Sequence, residues 1–508
     1  MITVLILLVA VGVLGWGFYR ARTFGKLGIL AWLQSAVLML PWLLFFGLFA
    51  AGIYLNLAGV LLLLLVSTGS YIFLGNRLRA AAQDPALAEK LVAIAPPPKG
   101  NDSTVEPSPA ESVTPAEPME PPTAGKAETP LPQGADTLTL PADDLQAIRG
   151  IFGVDTFFST ESIPYQNGAI FKGNLRGEAA SVRDRLAASL EERLGDRYRL
   201  FLVESPDEKR PVVIVLPSSN DPQLTTTTQW VLAAGLAAAT IVTTLETSGL
   251  LQGFDFFSQP TRWRETLPIA AGILAILAVH EMGHRLLAQR HQVRLSPPFF
   301  IPTWQIGSFG AITRVQSWLR DRSVLFDIAF AGPAMSGILS VLILLTGLLL
   351  SHQGSLFQLR AEYFQGSILV GALARVVLGN ALQQSLVSIH PLVMVGWLGL
   401  VVTAINLLPA GQLDGGRIVQ AIYGRNVART TTIATLVVLG LAALVNPLAI
   451  YWAIVILFLQ RDLERPALNE LTEPDDTRAA LALLALFLMA ATLLPLTPSL
   501  AGRLGIGG

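Results

Sequence analysis

The sequence predicts a polytopic α-helical membrane protein of about ten spans, with a small α/β soluble domain inserted before its main membrane core. Three observations predict it. Hydrophobic residues make up 52% of the chain and charged residues only 14%, against roughly 25% charged residues in an average soluble protein. Apolar runs recur at close to the ~20 residues that a helix needs to cross a bilayer. One stretch, Asp143–Asp221, carries the strand and helix patterns of a water-soluble fold instead.

The first run, Ile2–Phe18, has no charged segment before it and no A-x-A site after it, so it reads as a membrane anchor rather than a signal peptide. Leu27–Leu74 contains no charged side chain and divides into two spans near Leu55–Gly59. The later candidates are Trp230–Thr247, Leu267–Leu287, Val324–Leu350, Leu392–Leu408, Thr430–Val445, Leu448–Leu459 and Ala479–Leu494. Lys and Arg collect on the inner side of a membrane protein. With the N-terminus outside, the inner segments carry Arg20, Arg22 and Lys26, then Arg77 and Arg79, and later Arg285, Arg290, Arg314, Arg417, Arg425 and Arg478 among others. The outer segments carry only Arg262, Arg264, Arg360, Arg375 and Arg503. The long region Arg77–Thr225 falls inside.

Five domains follow. Residues 1–75 hold three spans. Residues 76–142 form a linker; its Pro96–Pro141 portion has twelve prolines and few large apolar residues, too few to bury a core, and reads as disordered. Residues 143–225 are the soluble domain. There Gly168–Leu175, Tyr198–Glu204 and Arg210–Ser218 read as strands. Val182–Leu194 reads as a helix, with Leu186, Leu190 and Leu194 at four-residue spacing. Residues 226–465 are the main membrane domain, and 466–508 hold a last span and tail.

Composition also excludes chemistries. With no cysteine there are no disulfides, Cys-ligated metals or thiol nucleophiles. A net charge of -1 gives no basic field for nucleic acid. Five histidines exist: His280, His284, His291, His352 and His390.

His280-Glu281-Met282-Gly283-His284 is the pattern H-E-x-x-H. On a helix, residues four apart share a face, so both imidazoles can reach one ion. Glu281 between them can take a proton from the attacking water, the role of a general base. With the helix starting near Leu267, His280 lies about 20 Å along it, inside hydrocarbon roughly 30 Å thick. Ionisable side chains there cost several kcal/mol unless paired or coordinated, and one Zn²⁺ per chain supplies the partner. Two histidines leave zinc one protein ligand short. His291 lies beyond the span, and His352 and His390 fall on the outer side. A carboxylate at the inner end of another span is the alternative, and Asp414 in Asn406-Leu-Leu-Pro409-Ala-Gly-Gln-Leu-Asp414-Gly-Gly is the candidate. Pro409 and the glycines break the helix there. An Asp-Gly pair can also be a simple turn.

H-E-x-x-H in one span with N-x-x-P-x-x-x-L-D-G at the end of a later one resembles the site-2 protease family of intramembrane zinc metalloproteases, over roughly Thr225–Gln460. The resemblance implies that Asp414 is the third zinc ligand and that Asn406 binds substrate near the scissile carbonyl. Gly173-Asn174-Leu175-Arg176, Gly307-Ser308-Phe309-Gly310-Ala311-Ile312-Thr313-Arg314 and Gly411-Gln412-Leu413-Asp414-Gly415-Gly416-Arg417 are similar to the EGY branch (ethylene-dependent gravitropism-deficient and yellow-green) of plastids and cyanobacteria. Some members of that branch lack the zinc motif; this chain keeps it. Three extra N-terminal spans and no evident transit peptide favour a cyanobacterial type, in a plasma or thylakoid membrane, with the soluble domain cytoplasmic.

Three further segments carry expectations. Pro297–Arg314 is apolar but broken by prolines and glycines, and reads as a hairpin or re-entrant loop lining the site. Gly307 and Gly310 there are candidate substrate-binding positions, since an exposed strand edge can pair with an extended peptide; a loop dipping into the interface is the alternative. Phe330–Gly337 reads as a close helix-packing surface. Asp327 is expected at the interface near Arg320 or Arg322, or behind a zinc ligand. Gly173–Arg176 reads as a structural turn, with a regulatory contact as the alternative. The function expected is a zinc endopeptidase that cuts membrane-spanning substrates whose helix has unwound. The alternatives are a transporter or metal permease, and a non-proteolytic EGY-like scaffold. No inverted repeat favours a transporter, and no G-x-G-D or G-x-S-x-G favours an aspartyl or serine enzyme. The lipid bilayer is the other expected partner, and nothing in the sequence sets an oligomeric state. Protease added to right-side-out vesicles is expected to leave Asp143–Asp221 intact; digestion from outside would contradict the orientation.

Overall fold

A computed structural model describes residues 140–506, except positions 166, 206–209, 304, 445 and 461, together with scattered positions between 14 and 77. Most of the three expected N-terminal spans, and almost all of the linker, lie outside the described residues. The chain divides into two units, Met1–Thr137 and Leu138–Gly508. In the first, the described positions are helical, and the Trp32 indole donates to the Leu14 carbonyl at 3.0 Å.

The second unit opens with helix α1 (Ala142–Arg149), strands β1 (Phe157–Tyr165) and β2 (Gly168–Leu175), helix α2 (Ala179–Leu194), and strands β3 (Tyr198–Glu204) and β4 (Pro211–Pro217). The strands form one antiparallel sheet in the order β1-β2-β4-β3. Val182, Leu186, Leu190 and Leu194 make the buried stripe of α2. They pack on Phe157, Phe171, Leu200 and Val213 of the sheet. Buried Asp144 accepts from Arg197 at 2.9 and 3.0 Å and from the Tyr198 hydroxyl at 2.6 Å. Burial and that carboxylate push the Tyr198 hydroxyl up to about 12.

One reading of this region is corrected. Gly173 and Asn174 do not form a turn. They lie in β2, opposite Ser159 and Phe158 of β1. Asn174 has no left-handed backbone. Gly173 is needed for close approach, because a Cβ there would collide with the Phe158 carbonyl.

The rest of the unit is largely helical: α3 (Thr227–Leu251), α4 (Trp263–Arg290), a hairpin of β5 (Phe299–Thr303) and β6 (Gly307–Ile312), α5 (Arg322–Leu349), β7 (Phe357–Arg360), α6 (Ile368–Leu378), β8 (Leu386–Ile389), α7 (Pro391–Asn406), α8 (Asp414–Ala442), α9 (Pro447–Val455), α10 (Asp476–Leu493) and α11 (Pro498–Leu504). Side-chain caps fix several starts. Thr226 and Gln229 make a reciprocal capping box on α3, and Asp321 and Asp475 cap α5 and α10.

Among the described residues, four helices are long and apolar enough to cross a membrane: Thr227–Leu251, Pro260–Arg290, Arg322–Leu349 and Asp476–Leu493. The other three segments read as spans in this region take other forms. Pro391–Asn406 is a shorter apolar helix of 16 residues. Thr430–Val445 is largely the distal part of α8, which begins at Asp414 and is interrupted at Gly424 (φ 83°, ψ 174°). Leu448–Leu459 is a nine-residue helix followed by a π turn.

Helix α5 is central and packs against α4, α7 and α8. Close approach rests on small residues: a Cβ at Gly283 would lie 2.5 Å from the Ala331 carbonyl oxygen, and one at Gly396 would strike the Leu344 backbone. The soluble sheet joins this bundle through residues 467–470. Leu202 on edge strand β3 donates to Leu468 O and accepts from Glu470 N, both at 2.9 Å. Leu468 and Asn469 in turn donate to Leu319 and Arg320 just before α5, at 2.8 and 3.0 Å. The β3 edge of the sheet is thereby covered, and Trp318 stands edge-on to Phe201 at 4.7 Å. Burial raises the carboxyl of Glu470 above the usual range.

Substituting Gly396→Val should destabilise the bundle by about 1–3 kcal/mol through overpacking, read as a lower unfolding temperature in detergent. Gly440→Ala, where an added Cβ meets nothing within 4 Å, should leave it unchanged or raised.

Candidate active site

Helix α4 places His280 and His284 one turn apart, with Glu281 beside them, and all three are buried. The imidazoles converge through Nε2, 3.1 Å apart. Their other nitrogens are held. His284 Nδ1 lies 2.8 Å from the Ile328 carbonyl. A carbonyl only accepts, so Nδ1 carries the hydrogen and Nε2 presents its lone pair. His280 Nδ1 meets Ser336 Oγ at 3.0 Å, and Ser336 pairs with Thr403 Oγ1 at 3.0 Å. Gly332 makes the room, since a Cβ there would overlap the His284 ring.

Asp414 arrives from the other side as the first residue of α8. Its Oδ2 is 3.1 Å from His280 Nε2, and its Oδ1 is 3.5 Å from His284 Nε2. The chain reverses between α7 and α8 so tightly that a Cβ at Gly415 would sit on the Leu407 carbonyl, and one at Gly416 on that of Gly411. This is the physical need behind Asp-Gly-Gly, and the residue is more than a surface turn.

The three side chains fit a tetrahedral ion. Zinc bonds of 2.0–2.2 Å imply ligand atoms about 3.3–3.6 Å apart; here the two Nε2 atoms are 3.1 Å apart, and the Asp414 carboxylate reaches His280 through Oδ2 at 3.1 Å and His284 through Oδ1 at 3.5 Å. Glu281 also offers an oxygen, with the atoms of His280, Glu281 and His284 all within 4.8 Å. Asp414 is the nearer carboxylate, and Glu281 is engaged elsewhere: it accepts from the Thr313 hydroxyl at 2.9 Å.

Thr313 directly follows the β5–β6 hairpin, the form expected for Pro297–Arg314. The hairpin packs on α3 and α7. The Gly307 carbonyl accepts from Thr243 Oγ1 at 2.7 Å. Asn406 donates to the Phe309 carbonyl at 3.1 Å, and a Cβ at Gly310 would lie 2.7 Å from the Asn406 amide nitrogen. Gly307 (φ 86°) and Gly310 (φ 104°) both hold left-handed backbone, which β-branched residues avoid. Asn406 and Gly310 thus meet beside the site, while Gly307 lies against α3 rather than beside the histidines.

The other histidines lie apart. His352 is bonded to its neighbour Gln353, and His390 caps α7. His291 pairs with Asp327 at 3.2 Å. Asp327 itself is corrected: Arg478 of α10 grips it at 2.7 and 2.8 Å. Arg322 turns instead to the Ala421 and Ile422 carbonyls, and Arg320 is nearest Asp321. Sequence reasoning missed Ser336, Thr403, Thr313, and the Arg417–Glu464 pair described below. Single hydroxyls leave no pattern, and a pair joined across 47 positions has no local period.

Two family profiles and several known proteins match the chain. A profile described as peptidase family M50 matches residues 268–446, and one described as the EGY3 middle domain matches residues 146–223. Similar proteins of Arabidopsis thaliana include "Probable zinc metalloprotease EGY2, chloroplastic" and "Probable zinc metalloprotease EGY1, chloroplastic". Each is 39% identical and covers 72% of this chain, and the match spans 67% and 74% of their respective lengths. "Probable zinc metallopeptidase EGY3, chloroplastic" from the same organism is 33% identical, over 70% of this chain and 66% of its own length. The chain therefore spans about two thirds of the length of several of these relatives. No solved structure matches it.

Gly332→Ala tests the cradle without touching a donor atom. The methyl would drive His284 off its Ile328 partner, so metal content of the purified variant should fall well below that of the wild type while helical content by circular dichroism is kept.

Proposed function

The chain belongs to peptidase family M50, among the EGY zinc metalloproteases, and from that premise we propose that it is an intramembrane zinc endopeptidase that cleaves membrane-spanning substrates. The observation that carries the reading is the convergence of two imidazole nitrogens and the Asp414 carboxylate beside Glu281, on a helix long enough to cross a membrane. His280 lies about 25 Å along α4 from Trp263 at ~1.5 Å per residue, within hydrocarbon roughly 30 Å thick.

His280, His284 and Asp414 would hold the ion. Bound zinc supplies a Lewis acid and an activated water at neutral pH. Glu281 accepts the proton of the attacking water at its carboxylate and delivers it to the leaving amine. Ser336 and the Ile328 carbonyl hold the two rings with Nε2 turned inward, and the carbonyl also fixes the tautomer of His284. The substrate presents an unwound, extended segment, because a helix seals its own peptide groups. The β5–β6 hairpin offers a strand edge for that segment, and Asn406, held against Phe309, stands ready near its carbonyl. A polar cavity of about 420 Å³ lies beside the hairpin, lined by Ser296, Arg314, Gln316, Gln412 and Glu464 among others. It supports a water route from the side of the soluble domain. On the Lys/Arg bias, that side is the cytoplasmic face of a plasma or thylakoid membrane of cyanobacterial type, and the N-terminal region completes a topology of about ten spans.

A permease reading would leave Glu281 without a task. Glu281→Gln should therefore lower cleavage of a transmembrane substrate in proteoliposomes by about 10²–10⁴-fold with one zinc per chain retained. Undiminished cleavage would remove Glu281 from the reaction, and zinc translocation without cleavage by the wild type would favour the permease. The double variant Gly307→Val/Gly310→Val should also cleave poorly with zinc retained, since both positions need left-handed backbone and Gly310 abuts Asn406. Full activity in that variant would free the hairpin of any substrate role.

A further inference from the structure

Three residues on one face of α8 organise the surroundings of Glu281. Asp414 faces the histidines. One turn later, Arg417 donates through Nη2 to the Thr313 carbonyl at 2.9 Å and through Nε to Glu464 at 3.0 Å. One turn further, Gln420 grips the Glu464 backbone in both directions, donating to its carbonyl and accepting from its N–H, each at 3.0 Å. Arg417, Gln420 and Glu464 are all buried. Thr313 sits at the end of this chain of contacts, and its hydroxyl donates to Glu281 Oε2 at 2.9 Å. The next residue is pinned as well: Arg314 N donates to Ser296 Oγ, and Ser296 N donates to the Arg314 carbonyl.

We propose that Thr313 is the positioning residue for Glu281, and that the buried Arg417–Glu464 pair fixes Thr313 in place. The inference rests on the endopeptidase reading above. A carboxylate on a straight helix can swing through several rotamers. A hydroxyl bonded to one oxygen holds the plane of the group and leaves the second oxygen free to take a proton. The hydroxyl is useful only if its own backbone is fixed, and the Arg417 guanidinium does that. Because Asp414 and Arg417 lie on successive turns of one helix, one rigid element sets the third metal-binding candidate and the support of the base together. A buried ion pair contributes little net stability compared with apolar residues of similar volume. Beside this site its contribution is to geometry. Second-layer partners of this kind typically contribute 10–100-fold to activity.

The test compares full-length Thr313→Val, which keeps shape and loses the hydroxyl, with Thr313→Ser, which keeps the hydroxyl. Zinc content, KM and kcat are measured on a transmembrane substrate in proteoliposomes. Wild type and Glu281→Gln are assayed first; absence of zinc-dependent cleavage by the wild type would defeat the endopeptidase reading itself, whatever Thr313 does. With an active wild type, Thr313→Val should lose about 10–100-fold in kcat with KM and zinc unchanged, and Thr313→Ser should return to within about threefold of wild type. Wild-type kcat in Thr313→Val overturns the inference, as does an equal loss in Thr313→Ser, which would make the position one of packing. Should Thr313→Val lose its zinc, the double variant Arg417→Met/Glu464→Met decides: lowered kcat with zinc and KM kept supports the positioning role, and wild-type kcat, or loss of zinc there too, overturns it.

Discussion

Two imidazole nitrogens and a carboxylate held 3.1–3.5 Å apart inside an apolar helical bundle are the constraint on which the surrounding structure turns. Lone pairs brought so close repel unless a proton or a metal cation lies between them, and buried ionisable groups left unpaired cost several kcal/mol. The fold supplies what the cluster needs. A glycine on α5 clears space for one ring, a carbonyl on the same helix sets the tautomer of His284, and a serine there holds His280 by its Nδ1. Two glycines let the chain double back and deliver Asp414. None of these would be required of a bundle built only for packing.

The same constraint explains the irregular backbone nearby. Non-helical chain at membrane depth is tolerated where it is buried in protein or borders water. The β5–β6 hairpin meets that condition by packing between α3 and α7, with a polar cavity at its open end. The soluble sheet is tied to the same neighbourhood. Glu464 braces Arg417, and only a few residues later Leu468 and Glu470 bond to the edge of β3. One short connection thus serves both the support of the site and the attachment of the soluble domain.

Much of this was legible in the sequence where a period or a motif carried it. The four-residue spacing in Val182–Leu194 gave the helix, and the β-rich runs Gly168–Leu175 and Tyr198–Glu204 appear as strands with those bounds. H-E-x-x-H marked the two histidines because helical spacing alone brings them together. Strand β1 was not recognised, because Phe157–Tyr165 holds a proline and exposes much of its length. Span lengths beyond Leu392 were not legible, because apolar composition continues there while the helices are interrupted near Pro409, at Gly424 and at a π turn. The partner of Asp327 could not be read either, since Arg478 lies 151 positions away.

The central claim is that His280, His284 and Asp414 share one zinc ion. Zinc X-ray absorption on the purified full-length protein tests it most directly. The account predicts one zinc per chain, with scattering from two imidazoles and oxygen neighbours at about 2.0–2.2 Å, and the loss of an oxygen neighbour or of the metal in Asp414→Ala. A first shell with three or more imidazoles, or a shell unchanged in Asp414→Ala, would contradict it.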